Sequence, residues 1–286
     1  MRYACIAAHR AEYPVRLMCR VLVVSRAGFY AWLDRTPSRR AHTDARLRVA
    51  IRAIHAESRR TYGSPRIHRE LRAQGQRHGR KRIARLMRHE GLRAKRSRRY
   101  RATTQSDATR PAAPNTLGRQ FAVRAVNRVW AGDVTACWTA EGWLYLAALL
   151  DLGSRRVVGW ATSGTLDQTL TQAALRRALV QRQPAAGLLH HSDRGTPYTA
   201  VAYQAALTAA HVAVSMSRPG DCWDNAVMES FFATLKTELV HDARWGTRAA
   251  ATALATYIEG WYNRRRRHST LDYLSPAEYE LRLRAA

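Results

Sequence analysis

Residues 188–199 read LLHHSDRGTPYT, a short apolar run that opens directly into two histidines, a serine and an aspartate. Taken alone, the stretch admits a zinc site at His190 and His191, a Ser192/His191/Asp193 hydrolase, or an acid that holds another metal. Adjacent residues of a strand point to opposite faces, so the two histidines do not easily share one ion. Ser192 lacks the glycines of a nucleophile elbow. What remains is Asp193 at the end of a strand, with one histidine available to orient it. The flanks give that strand its meaning. A helix over 167–182 precedes it; a helix over 200–210, the strand VAVSM (212–216) and a helix from about 224 to 240 come after it. Such strand and helix alternation implies parallel strands.

Further out, RVWAGDVTACW (128–138), WLYLAALLDL (143–152) and RVVGWAT (156–162) are consecutive strand-like runs, with turn signals at 140–142 and 153–155. They predict an antiparallel meander. Meander plus parallel additions gives an α/β fold, an RNase H-like mixed five-stranded sheet flanked by helices.

Three acids stand out against that plan. Asp133 interrupts the first strand, Asp193 comes just after the fourth, and Glu229 lies on the last helix between Met228 and Phe231. Each has a plain alternative, as an arginine partner, a turn cap and a solvated helix position. Together they are separated by 59 and 35 residues, and the fold makes the first and fourth strands central neighbours with the last helix beside them. Converging carboxylates raise one another's pKa unless a cation joins them, and all-oxygen ligands suit Mg²⁺ or Mn²⁺. Asp133, Asp193 and Glu229 are candidates to hold such a cation.

The charge is lopsided. Residues 1–120 hold 30 Lys/Arg against 7 Asp/Glu, net +23, and residues 121–286 hold 18 against 14, net +4. Self-repulsion of that size calls for an anionic partner, and nucleic acid is the commonest. No apolar run reaches the roughly 18 residues of a spanning helix, and no secretory leader is evident, so neither a membrane nor export is expected and the cytoplasm is. Cys5, Cys19, Cys137 and Cys222 form no C-x-x-C pair and are expected as small core filler.

The basic region reads as helical. Residues 14–33 suggest two helices around a turn; 44–58 place Leu47, Ala50, Ile51 and Ile54 on one face. After YGSP (62–65), a helix with Ile67 and Leu71 inward, a break at 75–79 and a helix with Ile83, Leu86 and Met87 inward form a helix-turn-helix-like unit. Arg80, Lys81, Arg82, Arg85 and Arg88 are expected to meet DNA. The expected divisions are an amino-terminal helical segment (1–43), a basic DNA-binding domain (44–101), a Pro- and Thr-rich linker (102–120), a catalytic core (121–240) and a carboxy-terminal basic and aromatic segment (241–286).

WAGDVT (130–135), HHSDRGTPYT (190–199) and CWDNAVMESFFATLKTEL (222–239), with YGSPRIHREL (62–71) and YNRRRRHSTLDYLSPAEY (262–279), resemble bacterial insertion-sequence transposases. The likeness is to the ORF-B protein of the IS-three family, relatives of retroviral integrases with an Asp, Asp, Glu triad. The resemblance implies a transposase that cleaves element ends and transfers strands into target DNA. It assigns catalysis to Asp133, Asp193 and Glu229, and DNA contact to Lys236 and the run Arg264, Arg265, Arg266 and Arg267. It further implies inverted-repeat and target duplexes as substrates, a homo-oligomer, and an upstream-frame ORF-A partner or fusion, since no sustained heptad is present. By the same resemblance Asp133, Asp193 and Glu229 are the ligands of two metal ions. Lys236 lies two helical turns after Glu229 on the same face, Asn225 shares that face and is expected to meet the DNA backbone or a metal-bound water, and Asp224 is expected as the helix N-cap. An inactive DNA-binding relic, or an RNase H-like nuclease that cuts without joining, are the alternatives.

Overall fold

The computed structural model describes residues 1–95, 113–241 and 245–285. Three short helices, α1 (Arg2–His9), α2 (Val15–Val21) and α3 (Arg26–Leu33), close on Ile6, Cys19 and Phe29. Ser25 caps α3 by accepting from the Gly28 N–H. Gly28 is also where Tyr3 and Ser25 press on the backbone, leaving no room for a Cβ. Cys5 is exposed, against the expectation of core filler, whereas Cys19 and Cys137 are buried.

The helix α4 (Arg39–Glu57) starts five residues before the expected position because Ser38 supplies the cap, accepting from Ala41 N–H. With α5 (Ser64–Ala73) and α6 (Arg80–His89) it buries Leu47, Ile51, Ile54, Ile67, Leu71, Ile83, Leu86 and Met87, the residues that periodicity selected. The small unit is not independent of the sheet. Its apolar side chains run into one core with Leu144, Leu146, Ala148 and Leu150.

That sheet consists of β1 (Val129–Thr139), β2 (Gly142–Asp151), β3 (Val157–Ser163), and, after α7 (Gln168–Arg182), β4 (Leu189–Ser192). Then come α8 (Thr196–Thr199), α9 (Val201–Ala209) and β5 (Ala213–Met216). The strand order is β3-β2-β1-β4-β5, with β1 antiparallel to β2, β2 antiparallel to β3, and β1, β4 and β5 parallel. This is the mixed RNase H-like sheet. Alternation along β2 divides its sides: Ala147 and Leu149 pack with Leu170, Ala174 and Tyr203 of α7 and α9, while Leu146, Ala148 and Leu150 face the other core.

The final helix departs from expectation. In place of one helix over 224–240 there is a 3₁₀ turn (Cys222–Asn225), α10 (Ala226–Leu235) and a π-helical turn (Lys236–Val240). The wider turn carries Glu238 inward, where Tyr257, Trp261 and Arg266 all bond its carboxylate. The chain then continues through α11 (Thr247–Ala255), a second π turn (Thr256–Tyr262) and α12 (Pro276–Ala285).

The described part of the expected linker, 113–120, is anchored. Leu117 is buried, and the Thr116 and Leu117 N–H groups both donate to Ser215 Oγ on β5. Pro, Thr and Arg carry no periodicity, so backbone docking of this kind leaves no pattern. Residues 102–112 lie outside the described residues.

Candidate active site

The parallel register between β1 and β4 pairs Val129 with Leu189, Trp130 with His190 and Ala131 with His191. Asp133 and Asp193 each come two residues after the last of these pairs, and the charge of Asp193 reaches Asp133. α10 packs on β1 and carries Glu229. Both aspartates are half-buried, and each uses one oxygen on a backbone N–H: Val134 to Asp133 Oδ1 at 2.7 Å, Gly195 to Asp193 Oδ1 at 3.0 Å.

Burial pushes the Asp133 carboxyl well above the ordinary carboxylate range, the Asp193 charge pushes it further, and Glu229 adds to this. The Val134 N–H and the Lys236 ammonium pull the other way. Burial also raises Asp193 and Glu229. All three shifts are in the direction that a divalent cation would reverse. Among the described residues no group of three His, Cys, Asp or Glu side chains is gathered closely enough to hold a metal ion. The donor set is nonetheless all carboxylate oxygen, which fits a hard cation such as Mg²⁺ or Mn²⁺ and not zinc.

The histidines take opposite faces. His190 is buried with its Nε2 3.0 Å from the Tyr203 hydroxyl, and burial pushes its pKa down to about 3. His191 Nδ1 lies 2.9 Å from Ser215 Oγ, and burial lowers it too. Both are neutral core groups. Gly132 makes this packing possible, since a Cβ there would meet His190 Nε2 at 2.9 Å and Tyr198 at 3.4 Å.

Tyr198 is a residue that sequence reasoning missed. It is buried, its hydroxyl has no hydrogen-bond partner among the described residues, and burial raises its pKa well above the ordinary value, with Tyr203, Asp133 and Asp193 adding to the shift. The available signal was a tyrosine five residues after Asp193. Asn225 is buried, and its Oδ1 likewise lacks a partner among the described residues.

Asp224 is not the helix N-cap; Asn225 holds that position. Asp224 is fully buried and gathers the Arg218 and Arg119 side chains, Asn115 Nδ2 at 2.8 Å and the Arg218 N–H at 2.9 Å. The Arg218 guanidinium holds its carboxyl far below the usual range. Four donors from two separate segments explain why Asp224 fixes the loop before α10 instead of capping it.

The expected DNA contacts separate into two groups. Arg80, Lys81 and Arg88 are exposed on α6, and Arg264 and Arg265 are exposed beyond the second π turn. Lys236 is half-buried and close enough to Asp133 to stabilise its charge. Arg82 and Arg85 instead both bind Asp44 at 2.6 Å and tie α6 to α4. Arg266 and Arg267 contradict the surface expectation: Arg266 is buried on Glu238, and Arg267 is buried on Glu70 of α5. A buried guanidinium paired with a carboxylate is structural, because DNA would have to displace its partner.

Known families and proteins resemble this chain along most of its length. An integrase core domain family matches residues 123–222, a second integrase core domain family matches 210–276, and an HTH-like domain family matches 42–100. A Shigella sonnei protein described as "Insertion element IS600 uncharacterized 31 kDa protein" is 44% identical over 263 residues, covering 92% of this chain and 97% of its own. "Transposase InsF for insertion sequence IS3A" of Escherichia coli (strain K12) is 40% identical over 287 residues, covering 98% of both. Among solved structures, the HTLV-2 integrase catalytic core domain in complex with magnesium aligns at 18% identity with a TM-score of 0.41, over 54% of this chain and 95% of that one. A simian T-cell lymphotropic virus intasome aligns at 15% identity with a TM-score of 0.45, over 80% and 73%.

Proposed function

The chain belongs to the IS3-family transposases with an integrase core domain, and from that premise we propose that its own Asp133, Asp193 and Glu229 hold the metal that cuts and joins DNA. The protein is a DNA transposase. The reading of the acids rests on one observation: Asp133 is raised by burial and by the charges of both Asp193 and Glu229. Asp133, Asp193 and Glu229 would hold the divalent ions, whose Lewis acidity would serve in-line displacement at phosphorus.

The chain's own groups do the rest. Asp133 and Asp193 each keep one oxygen fixed by a backbone N–H, so the carboxylates are held in orientation. Lys236 brings a positive charge to the same place and suits a DNA phosphate beside the cut. We place the work in the bacterial cytoplasm on inverted-repeat ends and a target duplex, with at least two copies acting together. An ORF-A partner or fusion would supply sequence selection, because phosphate contacts position DNA and base contacts specify it.

The deciding experiment incubates the full chain with labelled inverted-repeat ends and a target plasmid, with Mg²⁺ or with a chelator. Metal-dependent joined products are expected. Binding without cutting would identify an inactive relic, and cutting without joining a nuclease; either overturns the proposal.

A second expectation concerns α6. If Arg80, Lys81 and Arg88 contact phosphates, log affinity falls with log salt by about 0.9 per contact, so their triple alanine variant should flatten the slope by about 2.7. Fluorescence anisotropy across a salt series measures it, and an unchanged slope would remove α6 from the interface. Arg82→Ala, by contrast, should weaken the α4 and α6 packing through loss of its Asp44 bond.

A further inference from the structure

The side of α10 away from the acids borders a solvent-open cavity of about 310 Å³. Ser230 and Thr234 line it, and the 3.6-residue period turns both more than a quarter turn from Glu229 and Lys236. None of Asp133, Asp193, Glu229 or Lys236 is in its wall. Arg66 of α5, Arg155 of the turn between β2 and β3, and Tyr262, Arg266, His268, Ser269 and Thr270 of the carboxy-terminal segment complete the polar lining, which contains no carboxylate.

The cations of this wall are not equivalent. Arg266 is committed to Glu238. His268 is pushed well below its ordinary value by burial and by Arg266, Arg66 and Arg155, and is therefore neutral. Arg66 donates to the Arg267 carbonyl at 3.0 Å and Arg155 to the Phe121 carbonyl at 2.9 Å. Neither has an ion-pair partner among the described residues. Both are half-buried, burial lowers both pKa values, and Arg266 repels Arg66. The carboxylates that act on them, Glu238 on Arg66 and Asp151 on Arg155, do so without a direct ion pair, so each partly desolvated guanidinium keeps room for a closer anion. Their fork geometry matches phosphate oxygens, and the Ser230, Thr234, Ser269 and Thr270 hydroxyls of the same wall are further donors.

We propose that this cavity binds a phosphate of the DNA backbone between Arg66 and Arg155. The choice of DNA over a free anion follows from the net +23 of residues 1–120 and from the helix-turn-helix-like origin of Arg66. A phosphate held there bridges α5 to the central sheet and sets how the DNA-binding domain presents a duplex to the core. The inference rests on DNA binding by the family and not on the reading of the acids, and its test reads no cleavage.

The test measures duplex affinity across a salt series for the full chain and its Arg66→Gln, Arg155→Gln and double variants. Each single change should flatten the log–log slope by about 0.9 and the double by about 1.8. Unfolding midpoints should stay equal or rise, because an unpaired half-buried charge is removed. If Arg66→Gln fails to fold, Arg155→Gln alone carries the measurement. In a second arm, calorimetry with inorganic phosphate should show weak binding that duplex DNA displaces and the double variant lacks. An unchanged slope in folded variants overturns the proposal. Phosphate binding that DNA does not displace overturns it as well, by assigning the cavity to a free anion.

Discussion

Asp133→Asn is expected to lower end cleavage and strand transfer by at least about 10³-fold, while making the metal-free protein more stable. The first effect comes from removing one of three carboxylates around the reacting phosphate, where several kcal/mol of transition-state stabilisation is at stake. The second comes from the direction of the pKa shift. Burial, Asp193 and Glu229 raise Asp133 above its ordinary value, so the native state binds this proton more tightly than the unfolded chain does. The resulting stabilisation is fully present at acid pH and is lost as pH rises from the ordinary carboxylate value through the raised one. Wild-type stability in chelator should therefore fall over that window, and Asp133→Asn should remove this contribution to the fall. Mg²⁺ at 100 times its Kd should restore about 2.7 kcal/mol to the wild type and much less to the variant. Asp193→Asn and Glu229→Gln should lose activity likewise, with duplex affinity retained through α6. Normal cleavage by any one variant would remove that residue from the site. A Mg²⁺-induced shift preserved in all three would remove the metal from these acids.

Glu238→Ala is expected to cost about 3–5 kcal/mol of folding stability, an effect as large as any the acids exert on the fold. Glu238 and Arg266 are both almost fully buried, with Nη2 to Oε1 at 2.9 Å. The Tyr257 hydroxyl at 2.9 Å and Trp261 Nε1 at 3.2 Å donate to the other carboxylate oxygen. Removing the carboxylate strands a buried guanidinium and two polar donors at once. On a chain of this size the unfolding midpoint should drop by roughly 6–20 °C. A double change, Glu238→Gln with Arg266→Met, should recover most of the loss, because a removed ion pair costs less than a broken one. Thermal and urea unfolding measure both. If Glu238→Ala lost less than about 1 kcal/mol, the pair would not be the anchor of the carboxy-terminal segment.

How far the sequence reached can be traced residue by residue. The 3.6-residue periodicity of α5 and α6 marked their buried faces correctly, because a side chain's direction relative to its own helix is a local property, and the continuous apolar run WLYLAALLDL marked a strand that is buried along most of its length. The same locality identified the antiparallel meander, the parallel strand ending at Asp193 and the opposite faces of His190 and His191. It also isolated the three acids, since a charge inside an apolar strand or at its end is visible without any partner. Tertiary structure alone decided which charges are surface and which are core. The four arginines of 264–267 are identical in composition, yet the chain turning after the second π segment exposes two and buries two, on Glu238 and on Glu70. Asp224 reads as a cap until Arg119, more than a hundred residues earlier, arrives beside it. The stretch 113–120 reads as linker until Ser215 accepts its N–H groups. In each case at least one partner lies far away in sequence. A charged or polar side chain does not encode the identity of its partner in its neighbours, so only the closed fold could assign it.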